Sequence, residues 1–208
     1  MKVLLINGSP RKNGCTHTAL CEVQKGLAEM GVQGDIVWLG NGSVQQCIGC
    51  RACKDKNAGC VLNSDVADFV EKYADYDGFV FGSPVYYAGA NGGLCAFMDR
   101  LYYSSAAHFA YKPAAAVVSC RRGGAASALD RINKYFTINN QPVVPSQYWN
   151  EVHGTTPEEV QQDKEGMQIM RTLGRNMAWM VSCFAAGAAA GVLPPKAEEI
   201  PQRTNFIR

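Results

Sequence analysis

Short unbroken apolar runs alternate along this chain with longer stretches in which apolar residues recur every three or four positions. Val3-Leu-Leu-Ile-Asn7 is the first run, ending at Gly8-Ser9-Pro10 as a strand buried on both faces should. From Thr16 to Met30, Leu20, Val23, Leu27 and Met30 share one helical face, and Gly31 is placed to stop the helix. Asp35 to Leu39 reads as a second strand, followed by a loop of about twenty residues, long enough to point to function or a bound group. Ser64 is placed to cap a helix reaching Ala74, with Val66, Phe69, Val70 and Tyr73 as its apolar side. Gly78 to Gly82 is a third strand, Gly92 to Ser105 a helix, Ala114 to Ser119 a fourth strand and Ala125 to Phe136 a further helix. Gln141 to Pro145 gives a short fifth strand. Pro157 suits a helix first turn, and Glu158 to Cys183 carries helical spacing at Val160, Met167, Met170, Leu173 and Met177. An irregular tail starts at Pro194.

Strands alternating with helices argue for an α/β fold: a doubly wound, five-stranded parallel sheet with helices on both faces. The order 2-1-3-4-5 suits it, and in that order a ligand binds beyond the carboxyl ends of the strands. Three loops leave those ends: Gly8 to Thr18, Ser83 to Asn91, and Ser119 to Gly124. The 208 residues fit a single domain, 1–208, with a cysteine-rich loop at 43–62 and a C-terminal helix and tail from about 156.

Composition narrows the partners. Twenty basic and 18 acidic residues leave a formal charge of +2 with no basic run, so neither nucleic acid nor a membrane surface is expected. The N-terminal apolar run ends at Ile6, too soon for a secretion signal. Met177 to Leu193 carries no charge, but Ala and Gly dominate it, so it reads as a buried or subunit-facing helix end rather than a membrane span. Nine cysteines without an export signal point to a reducing, cytoplasmic setting, where thiols or metal ligands outweigh a disulfide framework.

The first loop, GSPRKNGCTHT, lacks the Gly-Lys-Ser/Thr of a Walker motif and the three-glycine dinucleotide fingerprint. It offers hydroxyls and exposed amides leading into a helix N-terminus, a setting for a terminal phosphate monoester or, equally, a plain capped turn. Ser9, Thr16 and Thr18 supply hydroxyls and Arg11 a charge. The third loop, SCRRGGA, sets Arg121 and Arg122 before Gly123 and Gly124. Those arginines suit an anionic ligand, or serve as solvated surface charges. No nucleophile–base constellation presents itself, which disfavours hydrolytic chemistry.

With its start MKVLLINGSPRKNG followed by a Thr, and the third-strand end GSPVYYA, the chain resembles the flavodoxin-like NAD(P)H-dependent FMN reductases and, more closely, the iron–sulfur flavoproteins built on that fold. The likeness runs from Met1 to about residue 154. It implies that Ser9, Arg11, the Cys15 main chain, Thr16 and Thr18 surround an FMN phosphate. Ser83, Pro84, Val85, Tyr86 and Tyr87 would then lie against the isoalloxazine, with Arg121, Arg122 and Gly123 nearby. Cys15 stands where the family's loop often has Asn, losing a side-chain amide but keeping the backbone donor. The likeness further implies NAD(P)H as electron donor, a small-molecule or protein redox partner, and a homo-oligomer, dimer or tetramer.

CIGCRACKDKNAGC places Cys47, Cys50, Cys53 and Cys60 in a C-x2-C-x2-C-x6-C run. Zinc sites usually use two separated pairs, whereas equal C-x2-C-x2-C steps suit a cubane cluster. A 4Fe-4S cluster, a zinc ion and uncoordinated thiols all stay open on spacing alone. The same compact motif after the second strand is a feature of the iron–sulfur flavoproteins, and Gly49 and Gly59 would ease the tight path around a cluster. The other cysteines, at 15, 21, 95, 120 and 183, read as buried small hydrophobes. Three functions follow: an FMN-dependent electron-transfer oxidoreductase with a one-electron port, a cluster-free FMN or quinone reductase, or a thiol redox sensor.

Overall fold

The first apolar run becomes the strand around which the sheet is built. In a computed structural model describing residues 1–55, 59–196 and 204, β1 (Lys2–Asn7) pairs in parallel with β2 (Gln33–Trp38) on one side and β3 (Gly78–Tyr86) on the other. The short β4 (Gly89–Ala90) folds back antiparallel on the end of β3. β5 (Ala114–Cys120) continues the parallel sheet beyond β3, and β6 (Glu151–His153) closes the order 2-1-3-5-6.

Alternate β1 side chains serve two cores, because successive strand residues point to opposite faces. Val3 and Leu5 pack with α1 (Cys15–Glu29), α6 (Pro157–Gln162) and α7 (Lys164–Ala189). Leu4 and Ile6 pack with α3 (Ser64–Tyr73), α4 (Gly92–Ser105) and α5 (Ala125–Ile138). Burying each such side chain contributes about 1.5–3 kcal/mol, so a one-residue slip of β1 would strand both sets. The remaining helix, α2 (Ala52–Asp55), is one turn inside the cysteine-rich loop.

Where α1 crosses α7, two glycines meet. A Cβ on Gly26 would lie 2.3 Å from the Arg171 carbonyl oxygen, and one on Gly174 would lie 2.2 Å from that of Val23. The close crossing brings charges together: Glu22 accepts from Arg171 Nε at 2.7 Å, and Glu29 accepts from Arg175 Nε at 2.7 Å.

Several boundaries differ from the sequence expectation. The fifth strand is Glu151–His153 rather than Gln141–Pro145, where only a single bridge forms between Val143 and Ala114. Pro142 and Pro145 have no N–H for a ladder, which confines that segment to one bridge. The C-terminal helix is two helices, parted at Asp163, whose carboxylate caps α7 by accepting from the Gly166 amide at 2.9 Å. At the start of α3, Asn63 rather than Ser64 is the N-cap residue. The stretch after the third strand is not an open loop but a hairpin, β3 turning into β4. α7 runs past Cys183 to Ala189, with Trp179, Cys183 and Phe184 exposed. Among the described residues no helix is long and apolar enough to cross a membrane. Residues 56–58 of the cysteine loop and the tail beyond 196, Thr204 apart, lie outside the described residues.

Candidate functional site

The loop after β1 is wound by its own polar side chains. Asn7, buried at the strand end, donates through Nδ2 to the Lys12 carbonyl at 2.9 Å and accepts the Ser9 amide at 3.0 Å. Ser9 Oγ in turn accepts the Arg11 amide at 3.1 Å, and Trp38 Nε1 donates to the Ser9 carbonyl at 2.7 Å. This turn delivers the chain to α1, whose N-cap, Gly14, makes no side-chain capping bond. The first-turn amides of α1 therefore stand free for an anion, at the positive end of the helix dipole.

They face an open cleft of about 640 Å³ at the carboxyl ends of β1, β3 and β5, where ligands of such sheets bind. Ser9, Arg11, Cys15 and Thr16 line it from the first loop, and Pro84, Val85 and Tyr86 from the end of β3. Ser119, Cys120 and Arg121 line it from the end of β5, and Gly154 and Thr155 from the turn after β6. Thr16 Oγ1 and Ser119 Oγ are hydrogen-bonded at 2.8 Å, tying the first loop to the third.

Thr18, Ser83, Tyr87, Arg122 and Gly123 are not among the lining residues. Thr18 donates to the Gly14 carbonyl at 3.3 Å and so supports the helix start. Ser83 Oγ accepts the Asn91 amide and donates to the Pro84 carbonyl, each at 2.8 Å, which locks the hairpin. Tyr87 and Ala88 form the hairpin tip with φ of 50° and 60°, and the Tyr87 side chain is fully exposed. Gly123 has open space where a Cβ would stand, and Arg122 is exposed. It is Gly124 that the loop requires: its φ is +86°, and a Cβ there would lie 2.7 Å from Ala88 Cα. Ser119, Cys120, Gly154 and Thr155 complete the cavity without having been singled out, although the loop Ser119–Gly124 was placed at its mouth. Ser119 and Cys120 end the fourth strand, so the rule of ligands beyond strand ends could have reached them; Gly154 and Thr155 follow a strand the pattern misplaced.

Of the five cysteines expected to be buried, only Cys120 is; Cys15, Cys21 and Cys95 are half-buried and Cys183 is exposed. Burial pushes the Cys15 thiol up, against a backbone hydrogen bond and Arg11, which pull it down. Burial likewise raises Cys120, and Glu151 adds to it. Both thiols are held toward the protonated form, unlike a thiolate nucleophile. Cys15 Sγ instead donates to the Gly154 carbonyl at 3.7 Å.

A second cavity, of about 300 Å³, brings all four cysteines of the run together: Cys47, Cys50, Cys53 and Cys60 line it with Arg51, Val61, Leu62, Arg100, Tyr103 and Ser104. The path around it uses left-handed backbone at Gly49 (φ 65°), Arg51 (φ 61°) and Gly59 (φ 70°). No three His, Cys, Asp or Glu side chains among the described residues converge on one metal ion. None of the nine cysteines is paired in a disulfide. One residue of this site escaped the sequence pattern: Arg100, on the core-facing side of α4, donates from Nε to Cys60 Sγ at 3.3 Å.

A doubly wound parallel sheet, with a helix N-terminus opening on a cavity at its carboxyl edge, defines a flavodoxin-like protein. Solved structures share that fold. NAD(P)H:quinone oxidoreductase from Methanothermobacter marburgensis superposes with a TM-score of 0.67 at 18% identity, covering 85% of this chain and 96% of that one. An archaeal flavodoxin does so with a TM-score of 0.57 at 17% identity, over 88% and 99% of the two chains. The chain belongs to the NADPH-dependent FMN reductase family, whose sequence profile matches residues 1–156. Its relatives include an iron–sulfur flavoprotein of Methanocaldococcus jannaschii, 31% identical over 87% of this chain and 97% of that one. Another is the iron–sulfur flavoprotein of Methanosarcina thermophila, 28% identical over 85% and 93%. The protein is an FMN-dependent electron-transfer oxidoreductase.

Proposed function

We propose that the chain exchanges electrons between FMN in the larger cavity and a 4Fe-4S cluster held by Cys47, Cys50, Cys53 and Cys60. The observation that carries this reading is that one fourteen-residue run lines one cavity with all four thiols. FMN supplies two-electron hydride chemistry and single-electron release, while a cluster moves one electron at a time.

The chain's own task is to bind and orient. The free first-turn amides of α1, with Ser9, Arg11 and Thr16, suit a phosphate monoester. Pro84, Val85 and Tyr86 offer an apolar and aromatic flank to a flat ring, and Arg121 a positive charge at the cavity wall. A nicotinamide nucleotide fits as donor, with a small molecule or a redox protein as acceptor. The exposed Trp179 and Phe184 on α7 support a homo-oligomer.

Anaerobic purification and iron–sulfur reconstitution, followed by iron and flavin counts and an absorption spectrum, test the reading. Flavin bands joined by broad absorbance near ~400 nm, the usual range of cluster charge transfer, are expected. Flavin without iron would leave a cluster-free NAD(P)H-dependent FMN or quinone reductase, the reading that the family profile by itself favours.

A further inference from the structure

Arg100 heads the fully buried side chains in volume, with 1% of its surface exposed. Taking a guanidinium out of water costs several kcal/mol, and it persists only where partners surround it. Here each of its five N–H donors has an acceptor. Nη1 donates to Asp65 Oδ2 at 2.9 Å and the Gln45 carbonyl at 3.4 Å. Nη2 donates to Asp65 Oδ1 at 2.5 Å and to Asn63 Oδ1. Nε is left for Cys60 Sγ.

Two features of this arrangement point beyond packing. Gln45 lies before the cysteine run and Cys60, Asn63 and Asp65 lie at or after its end, so one guanidinium holds both ends of the loop. The acceptor on Nε is also unusual, since a thiol sulfur accepts hydrogen bonds weakly. A metal-bound thiolate sulfur carries far more negative charge. Hydrogen bonds to such sulfurs are among the factors that set a cluster's potential.

We propose that Arg100 is a positioning residue that holds Cys60 as the fourth cluster ligand and, through the Nε–H to Sγ bond and its own charge, raises the cluster's reduction potential. The inference rests on the cluster reading above. Reduction adds one electron and no proton, placing more charge on the sulfurs. The N–H bond and the nearby cation then stabilise the reduced state more than the oxidised one.

Arg100→Lys is the test, in the full chain reconstituted anaerobically and compared with wild type. Lysine keeps the positive charge but puts a methylene where Nε stands. Iron and flavin are counted, and the cluster midpoint is read by an EPR-monitored redox titration. The expected result is full iron loading with a midpoint more negative than wild type, a shift that a merely structural role would not produce. Iron lost while flavin is retained supports the positioning role. Full iron with an unmoved midpoint overturns the proposal. Should Arg100→Lys not fold, Arg100→Gln decides: its amide can keep an N–H donor near the Nε position while the charge is removed. A negative shift supports the proposal and an unmoved midpoint overturns it. Wild-type protein that takes up flavin but no iron overturns both this inference and the cluster reading beneath it.

Discussion

At Gly124 the chain turns left-handed under the hairpin tip, so a methyl group there meets both backbone strain and Ala88. Gly124→Ala is expected to cost roughly 2–3 kcal/mol and to weaken FMN retention, because the methyl would push on Ala88 in the hairpin that supplies Tyr86 to the cavity wall. Gly123→Ala, with nothing within 4 Å of its Cβ, should leave stability near wild type. Thermal unfolding and flavin fluorescence titration of the two variants check the pair. Tyr76 shows a different single-residue effect. Burial, and a 2.8 Å hydrogen bond donated to Asp35, raise its hydroxyl to about 12. The stabilisation this reflects is whole below pH ~10, the ordinary tyrosine value, and is lost as pH rises toward 12. Melting temperature should fall over that window, and less steeply in Tyr76→Phe; equal slopes in the two proteins would refute the assignment.

Between elements, the seam of α1 and α7 joins a glycine crossing to an ion network. Glu22 is buried and accepts from both Arg171 and Lys25. Glu22→Gln should lower the unfolding free energy by roughly 2 kcal/mol, the scale of a hydrogen bond to a charged group, measured by urea denaturation. This seam was only half legible in the sequence. The apolar spacing of Leu20, Val23 and Leu27 marks the α1 face, but nothing local says that Gly26 must face Gly174 across 148 positions. β1, β3 and β5 were legible as unbroken apolar runs. Glu151–His153 was not, since three residues carry no periodic signal, while the more apolar Val143 and Val144 sit beside prolines that cannot ladder. The cavity followed the same division. Its loops after β1, β3 and β5 could be read from strand ends, whereas Gly154 and Thr155 depend on the strand that was not. Arg100 was hidden for another reason: an arginine beside Asp99 reads as a solvated face, although its three-residue step from Phe97 places it on the core side.

For the whole molecule, the last turns of α7 leave Trp179 62% and Phe184 43% exposed, large apolar side chains on a helix end without charges. On the oligomer reading, light scattering after gel filtration gives a dimer or tetramer, and Trp179→Asp combined with Phe184→Asp gives a smaller species. A wild-type monomer at micromolar concentration would remove that reading. The clamp on the cysteine loop has a consequence at this scale too. Arg100 ties Gln45 to the Cys60–Asp65 segment, so protein groups on α4 anchor both ends of the loop. On the cluster reading, a chain stripped of the cluster by oxygen would keep both ends of this loop anchored to α4. Repair would then be a matter of refilling a standing site, not of making the protein again.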